Sequence, residues 1–376
     1  MADLSEIREQ IDKVDKEIVE LFENRMALCK EVAEYKISTG KQVLDTCREK
    51  EKIDKVKLCA EKEENRHDVG ELFKQIMAMS RKLQYKLMAK HGLISDVSFE
   101  SVDTINKPDV KVVYQGVEGA YAHEAVLQYF GDNVNCYHVE SWRDAMDEVK
   151  SGRADYAVLP IENSTAGAVT QVHDLLLEYD NYIVAETEVL VEHALLGLKD
   201  SEISDITTVY SHPQALMQCE RYLREHPDWQ QISCENTAVS AKKVCDEGNK
   251  SHGAIASVKA AKIHGLKVLK ERINQADANT TRFLIVGRER IYTKEADKVS
   301  ICVELAHESG TLYNVLSHFS YNGINMTKIE SRPIEDRQWE YRFMIDIEGK
   351  LSDASVINAL RGISEEVNKL AILGNY

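Results

Sequence analysis

The chain has 376 residues, 43% of them hydrophobic and 29% charged, and a net charge of −16. That length accommodates two or three domains with real cores, and the composition is globular rather than disordered. With no basic arm or Lys/Arg block, a nucleic-acid partner is disfavoured, and any small anionic substrate must be drawn by local positive pockets against the overall field.

The start, Met1-Ala2-Asp3-Leu4-Ser5-Glu6, lacks the basic and apolar regions of a signal peptide. No apolar run approaches the ~18 residues of a membrane span, so a cytoplasmic location without membrane contact is expected. From Leu4, apolar residues recur in alternating threes and fours: Ile7, Ile11, Val14, Ile18, Leu21, then Leu28, Val32 and Tyr35. Without Gly or Pro, this predicts one long helix with a coiled-coil-like seam, which needs other helices or a second copy to cover it. Arg25 interrupts the seam. A guanidinium in an apolar stripe is costly unless paired, so it reads as an internal ion pair, a register-fixing residue or a ligand-binding cation. Lys36, eleven residues on, lies about 16 Å along the axis and can converge with Arg25 on a small dianion. Arg8, seventeen residues upstream and about 25 Å away, can join only from an antiparallel second copy.

After Gly40 two more helices are predicted, at about 48–63 and 67–90. The first opens on Asp45-Thr46-Cys47-Arg48-Glu49, an acidic-capped start. The second carries Ser80 and Gln84 at i, i+4 on one face, each taken singly a solvated surface residue. As a set, Arg8, Arg25, Lys36, Asp45, Arg48, Glu49, Ser80 and Gln84 resemble the all-helical chorismate mutase family, position for position over residues 1–90. The resemblance implies a three-helix domain (1–91) in a two-fold dimer. It implies Arg25 and Arg8 of a second copy on the carboxylates of chorismate, Lys36 and Gln84 on the ether oxygen, and Arg48 and Glu49 on the hydroxyl side. Lys36, Glu49 and Gln84 are then the catalytic groups. Such a rearrangement needs no nucleophile, only a held conformer and fixed positive charge at the breaking ether bond.

Residues 91–109, polar and aperiodic, read as a linker. Val110–Tyr114 predicts a strand, Gly116 and Gly119 a tight turn, and Ala122–Phe130 a helix. This G-x-x-G is not the dinucleotide fingerprint. Ala157–Ile161 is a short apolar run, a buried strand. It turns polar at Glu162, Asn163, Ser164 and Thr165 before Val169, Val172, Leu175 and Leu176 at helical spacing. The three residues from Asn163 are expected to cap that helix, at a strand end where α/β sheets bind anions. The strand–helix module recurs at Thr207–Tyr210 with Ser211-His212-Pro213-Gln214, at the cap Asn236, and at the strand Gly253–Ala256. Thr281-Arg282 then leads into the strand Phe283–Val286.

The wording of these junctions resembles prephenate dehydratase across about residues 110–288. The family implies two α/β lobes around a cleft, like a periplasmic solute-binding protein. One lobe is expected at about 110–188 plus the strand near 283, the other at about 189–279. Thr281 corresponds to the family's essential threonine. A threonine hydroxyl is a poor acid, so a hydrogen-bond donor or relay is expected. Arg282 would grip a carboxylate, with Glu162, Asn163, Ser164, Thr165, Ser211, His212 and Gln214 lining the site.

Residues 289–298 read as a second linker. Strands at 299–305, 325–332, 340–347 and 370–373, with helices at 311–321 and from 353, predict a βαββαβ ferredoxin-like α+β plait over 299–376. Gly310-Thr311-Leu312 and Glu330-Ser331-Arg332-Pro333 resemble the phenylalanine-binding ACT domain, with Gly-Thr-Leu where Gly-Ala-Leu is usual. That implies effector binding by Gly310, Thr311, Leu312, Glu330, Ser331 and Arg332 between paired domains.

The eight cysteines contain no Cys-x-x-Cys pair, so neither a zinc site nor a disulfide framework is suggested, and no cofactor is expected. The expectation is therefore a multidomain, homodimeric or tetrameric enzyme. It would rearrange chorismate to prephenate and decarboxylate and dehydrate prephenate, with L-phenylalanine as allosteric inhibitor. An arogenate-preferring dehydratase and a non-catalytic amino-acid sensor are the alternatives.

Overall fold

A computed structural model describes residues 3–91, 99–276, 278–334, 337 and 339–376. The chain forms two compact units, 1–98 with 297–372, and 99–296 with 373–376. No helix among the described residues is long and apolar enough to cross a membrane.

Asp3 caps α1 (Leu4–Thr39), a 36-residue helix ended by Gly40 in the left-handed conformation. At 1.5 Å per residue it is about 54 Å long. Its seam stays open within the chain: Leu4, Ile11, Val14, Ile18, Leu21 and Leu28 are each more than half exposed. Only Ala33 of the helix is buried. Asp45 caps α2 (Thr46–Cys59) by accepting from Arg48 N, as expected, although the helix stops four residues before 63. A short 3-10 turn at Glu63–Asn65 leads into α3 (Arg66–Lys90). Val43, Tyr85 and Met88 form the small core beneath Ile37.

The second unit opens with β1 (Glu100–Val102), inside the stretch read as a linker, of which 92–98 lie outside the described residues. The chain continues through β2 (Lys111–Gln115), α4 (Tyr121–Phe130), β3 (Asn135–Val139), α5 (Trp142–Ser151), β4 (Tyr156–Asn163), β5 (Gly167–Ala168), α6 (Thr170–Glu178) and β6 (Tyr182–Leu190). It crosses to a second lobe of β7 (Ala194–Gly197), β8 (Thr208–Ser211), α7 (Pro213–Gln218), α8 (Glu220–Leu223), β9 (Gln230–Ser233), α9 (Thr237–Glu247), β10 (His252–Ala256), α10 (Val258–His264) and β11 (Lys267–Lys270). It returns as β12 (Thr280–Gly287) and β13 (Ile291–Thr293). The second presumed linker is thus also structured: β13 pairs in parallel with β1.

The first lobe's sheet runs β6-β12-β4-β2-β3, the second's β11-β7-β10-β8-β9. Cores centred on Tyr114, Val158 and Ile285 in one, and on Leu196, Ala254 and Ala261 in the other, hold the sheets to their helices. The two crossing segments are stitched together, with Val191 N donating to Asn279 O at 2.6 Å and Ile273 N to His193 O at 2.9 Å. Gly119, at φ +86°, lets the α4 turn lie against α10, where a β-carbon would sit 3.1 Å from Ala260 Cα.

One local expectation is overturned. Asn163, Ser164 and Thr165 do not cap α6, which starts later, at Thr170, with Val169 in the cap position. The backbone instead doubles back through Gly167 (φ +83°) into β5, antiparallel to β4. Asn163 Oδ1 accepts from Thr165 N (3.0 Å) and Ala166 N (2.9 Å), so this asparagine organises a turn rather than a helix start.

The first unit is completed by β14 (Lys298–Glu304), α11 (Thr311–Tyr321), β15 (Met326–Pro333), β16 (Tyr341–Glu348), α12 (Ala354–Glu366) and β17 (Lys369–Asn375). This is the βαββαβ order, with sheet order β15-β16-β14-β17. The last four residues belong to the second unit, where Gly374 pairs with Ile183 of β6.

Candidate active sites

In the helical region, α1, the 40–45 turn and α2 bring Lys36, Asp45 and Arg48 onto one cleft of about 780 Å³, bordered by Leu28, Val32 and Tyr35. Lys36 Nζ donates to Val43 O at 2.6 Å. Partial burial pulls its ammonium below the usual lysine range, opposed by the nearby carboxylates of Asp45 and Glu49. Arg25 has no carboxylate within ion-pair distance among the described residues. Its Nη1 donates to Ser80 Oγ at 2.7 Å instead, so the internal ion pair is not formed among the described residues.

Ser80 and Gln84 are not solvated; they are 4% and 6% exposed. Gln84 Nε2 donates to Ser80 O at 3.3 Å, and Gln84 Oε1 is buried without a partner among the described residues. Arg8 stands exposed on α1 and is brought to none of the others within the chain. Glu49, on α2, is engaged by a residue that sequence reasoning missed: Arg81 Nη1 lies 2.5 Å from Glu49 Oε2. A cation directly after Ser80 on the same helix was the available signal.

In the α/β unit, the register Thr281↔Asn163 and Arg282↔Glu162 between β12 and β4 separates the two pairs by the pleat. Asn163 Nδ2 donates to Thr281 Oγ1 at 2.9 Å. Since two backbone N–H groups already fix Asn163 Oδ1, the amide cannot be turned round, and the Thr281 hydroxyl must accept from it. The Thr281 proton is thereby left to be donated elsewhere. Thr165 Oγ1 lies 2.7 Å from Asn163 Oδ1 and accepts from Gln218 Nε2 at 2.9 Å. Thr165, Gln214, Gln218, Asn274 and Asn279 line a recess of about 300 Å³. Asn279 was missed as a site residue although it directly precedes the Thr-Thr-Arg run. It is 1% exposed, and its Nδ2 has no partner among the described residues.

Other expected site residues are engaged within the framework. Arg282 was expected to hold a substrate carboxylate, but its Nε lies 2.9 Å from Glu162 Oε1 and its Nη1 3.2 Å from Glu186 Oε2. It therefore clamps β12 to the strands on either side, and Glu162 is engaged with it. Ser211 is fully buried and donates to Ile255 O at 2.7 Å. Ser164 Oγ accepts from Thr280 N at 3.0 Å, fastening the turn to β12. His212 caps α7, its Nδ1 accepting from Gln214 N at 3.2 Å. His123 stacks on Tyr114 with its Nδ1 accepting from Gly119 N.

Behind the recess, Gln218 Oε1 lies 2.9 Å from Nε2 of His193, whose Nδ1 is 3.1 Å from the Tyr121 hydroxyl. Burial lowers the His193 pKa and raises that of Tyr121 well above its ordinary value. A further recess of about 310 Å³ around Lys107, Asp155 and Arg288 shares no residue with either site.

Among the residues expected to bind an effector, Gly310 (φ +88°) precedes α11, and Thr311 Oγ1 donates back to Ala306 O at 3.0 Å. Glu330, Ser331 and Arg332 lie on β15, the edge strand, with Ser331 exposed. Among the described residues, no group of three or more His, Cys, Asp or Glu side chains is arranged to hold a metal ion.

Comparison with known proteins matches residues 7–85 to the family described as chorismate mutase type II and residues 112–291 to the family described as prephenate dehydratase. A bifunctional chorismate mutase/prephenate dehydratase of Aquifex aeolicus (strain VF5) is 32% identical over 378 residues, spanning 100% of this chain and 98% of that protein. Among solved structures, a prephenate dehydratase from Arthrobacter aurescens in complex with L-Phe is 30% identical, with a TM-score of 0.66 over 71% of this chain and 89% of that one. A quorum-quenching acylase, GqqA, is 31% identical, with a TM-score of 0.66 over 71% of this chain and 97% of its own.

Proposed function

This chain belongs to the bifunctional chorismate mutase/prephenate dehydratase family, and from that premise we propose how its residues divide the work between residues 1–91, 110–288 and 299–376. In the first, Arg25 and Arg8 of a second copy hold the two carboxylates of chorismate. Lys36 and Gln84 meet the ether oxygen, and Arg48 and Glu49 address the hydroxyl side, with Asp45 and Ser80 completing the lining. No group need exchange a proton. The acceleration comes from fixing the compact conformer and from cations at an oxygen that gains charge as its bond breaks. Arg25 bonded to Ser80 rather than to an acid, and the oxygen of Gln84 without a partner among the described residues, support this reading.

The observation that carries the dehydratase is the orientation of the Thr281 hydroxyl by Asn163. In prephenate, the electrons of the breaking bond to CO₂ flow into the ring and expel the ring hydroxyl, which departs as water once protonated. A hydroxyl that already accepts from Asn163 aims its hydrogen bond at that oxygen and steadies it as it leaves. The proton that completes the water is drawn from solvent, since a threonine hydroxyl is too weak an acid to supply it. Thr165, Gln214 and Asn279 surround the position. Arg282 and Ser211 act through the framework, so substrate carboxylate recognition rests on neutral donors such as Asn279 Nδ2, which has no partner among the described residues.

The βαββαβ module is an ACT-type domain that binds L-phenylalanine through the Gly310–Leu312 turn and β15 of paired copies. The relative from Arthrobacter aurescens holding L-Phe supports this. The open seam of α1 supports a homodimer, and the assembly works in the cytoplasm on water-soluble substrates. The test is conversion of chorismate to phenylpyruvate, with and without added L-phenylalanine. Phenylpyruvate formation, reduced by phenylalanine, is expected; binding of phenylalanine without turnover would instead mark a sensor.

A further inference from the structure

Arg81 sits on α3 between two residues of the mutase site, yet its guanidinium points to neither. Its Nη1 is 2.5 Å from Glu49 Oε2 and its Nη2 2.7 Å from Glu366 Oε1. Glu49 is on α2, and Glu366 is the last residue of α12 in the βαββαβ module. The side chains are 11%, 25% and 17% exposed for Arg81, Glu49 and Glu366 respectively, so the triad is only slightly open to water. Burial alone would lower the pKa of Arg81, but the two carboxylates outweigh it and raise it. Arg81 Nε is buried with no acceptor among the described residues, so these two carboxylates are what hold the guanidinium in place.

The far side of the triad is also anchored. His318 Nε2 of α11 is 3.3 Å from the same oxygen of Glu366. Next to it, the Tyr85 hydroxyl donates to Glu365, and Arg361 lies over the Tyr85 ring. Two consecutive glutamates at the end of α12 therefore grip two residues of α3 four apart, which places them on one face.

We propose that Arg81 is a positioning residue for the mutase reaction: it fixes the Glu49 carboxylate, and Glu366 of α12 fixes Arg81. Glu49 Oε2 is spent on Arg81, which leaves Oε1 to accept from the substrate hydroxyl in a set direction. A shared guanidinium with a fork geometry can hold two carboxylates at once; an ammonium cannot do so with the same directionality. The setting of a catalytic carboxylate in one module is thus read from the end of a helix in another. This rests on the assignment of Glu49 to the mutase site.

The experiment measures chorismate disappearance in the full-length protein for wild type, Glu366→Gln, Arg81→Met, Arg81→Lys and the double variant Arg81→Met/Glu366→Gln. Glu366→Gln is expected to lower kcat by about 3–10-fold with KM little changed, since an interaction that matters in the transition state is lost. Arg81→Met is expected to lower it by about 10-fold or more, with Arg81→Lys between. In the double variant the Glu366 substitution should add nothing, because the residue through which it acts is gone. Turnover of supplied prephenate, at the other site, should be retained throughout and reports that the variants fold. Multiplicative effects of the two substitutions, or an unchanged kcat in Glu366→Gln, would overturn the proposal. A wild type that consumes no chorismate would instead overturn the assignment of the site.

Discussion

At the scale of single residues, the proposed dehydratase site turns on which way one hydroxyl faces. Asn163 is locked by Thr165 N and Ala166 N on its oxygen, so its amide nitrogen donates to Thr281. Asn163→Asp preserves size and the two turn bonds but replaces that donor with an acceptor. The Thr281 proton would then be drawn to the aspartate and away from the substrate. We expect kcat with supplied prephenate to fall by about 10²–10³-fold, comparable to losing one preorganised transition-state donor, while chorismate consumption is unaffected. An Asn163→Asp enzyme making phenylpyruvate at the wild-type rate would show that the hydroxyl direction is immaterial. Arg282 shows the reverse case. Its sequence neighbourhood suggested substrate contact, and the fold gives it two glutamates of its own.

At the scale of elements, the crossing between the lobes carries a buried neutral histidine. His193 is 2% exposed and contacts Tyr121 and Gln218, and burial lowers its pKa from the ordinary 6.5. The unfolded chain takes up a proton near pH 6.5, whereas the folded chain resists until a lower pH. Stability is therefore full above that value and is lost as pH falls towards the folded pKa, below which the loss levels off. His123, His212 and His264 shift the same way, each first through desolvation. His193, the deeply buried one, contributes up to about 1.4 kcal/mol per pH unit inside its window, and the three more exposed histidines contribute less because solvent screens them. Urea unfolding followed by tryptophan fluorescence from pH 7.5 to 5.5 should show the decline, and His193→Asn should make it shallower. A slope identical in the variant would mean that His193 titrates normally. The elements themselves were legible where periodicity was long: α1 and α11 begin and end close to where their apolar spacing does. The strand β1 was not, because three residues paired to a distant β13 carry no periodic signal of their own. The start of α6 was misplaced because Asn, Ser and Thr serve turns as readily as caps, and Gly167 favoured the turn. Candidate site residues could be named from the sequence as residue types, while partners supplied by tertiary contact, Arg81 on Glu49 and Gln218 on Thr165, could not.

At the scale of the whole molecule, the mutase site as proposed is incomplete within one chain. Arg8 and Arg25 lie on the same straight helix and cannot meet at one small ligand, whereas a second α1 packed antiparallel on the exposed seam brings its Arg8 to the Arg25 end. This makes a counting prediction. Arg8→Ala and Arg25→Ala homodimers should each be nearly inactive on chorismate, since every site lacks one cation. In a dimer containing one chain of each kind, the Arg25 of the Arg8→Ala chain meets the Arg8 of the Arg25→Ala chain, and that site is intact. Its other site lacks both. Mixing equal amounts under conditions that allow subunit exchange gives half mixed dimers, each with one working site in two, so about a quarter of the wild-type rate should return. Dehydratase turnover of supplied prephenate should stay constant and shows that exchange has not damaged the protein. No recovery despite demonstrated exchange would mean that Arg8 acts within its own chain or not at all, and the exposed seam would then need a different explanation.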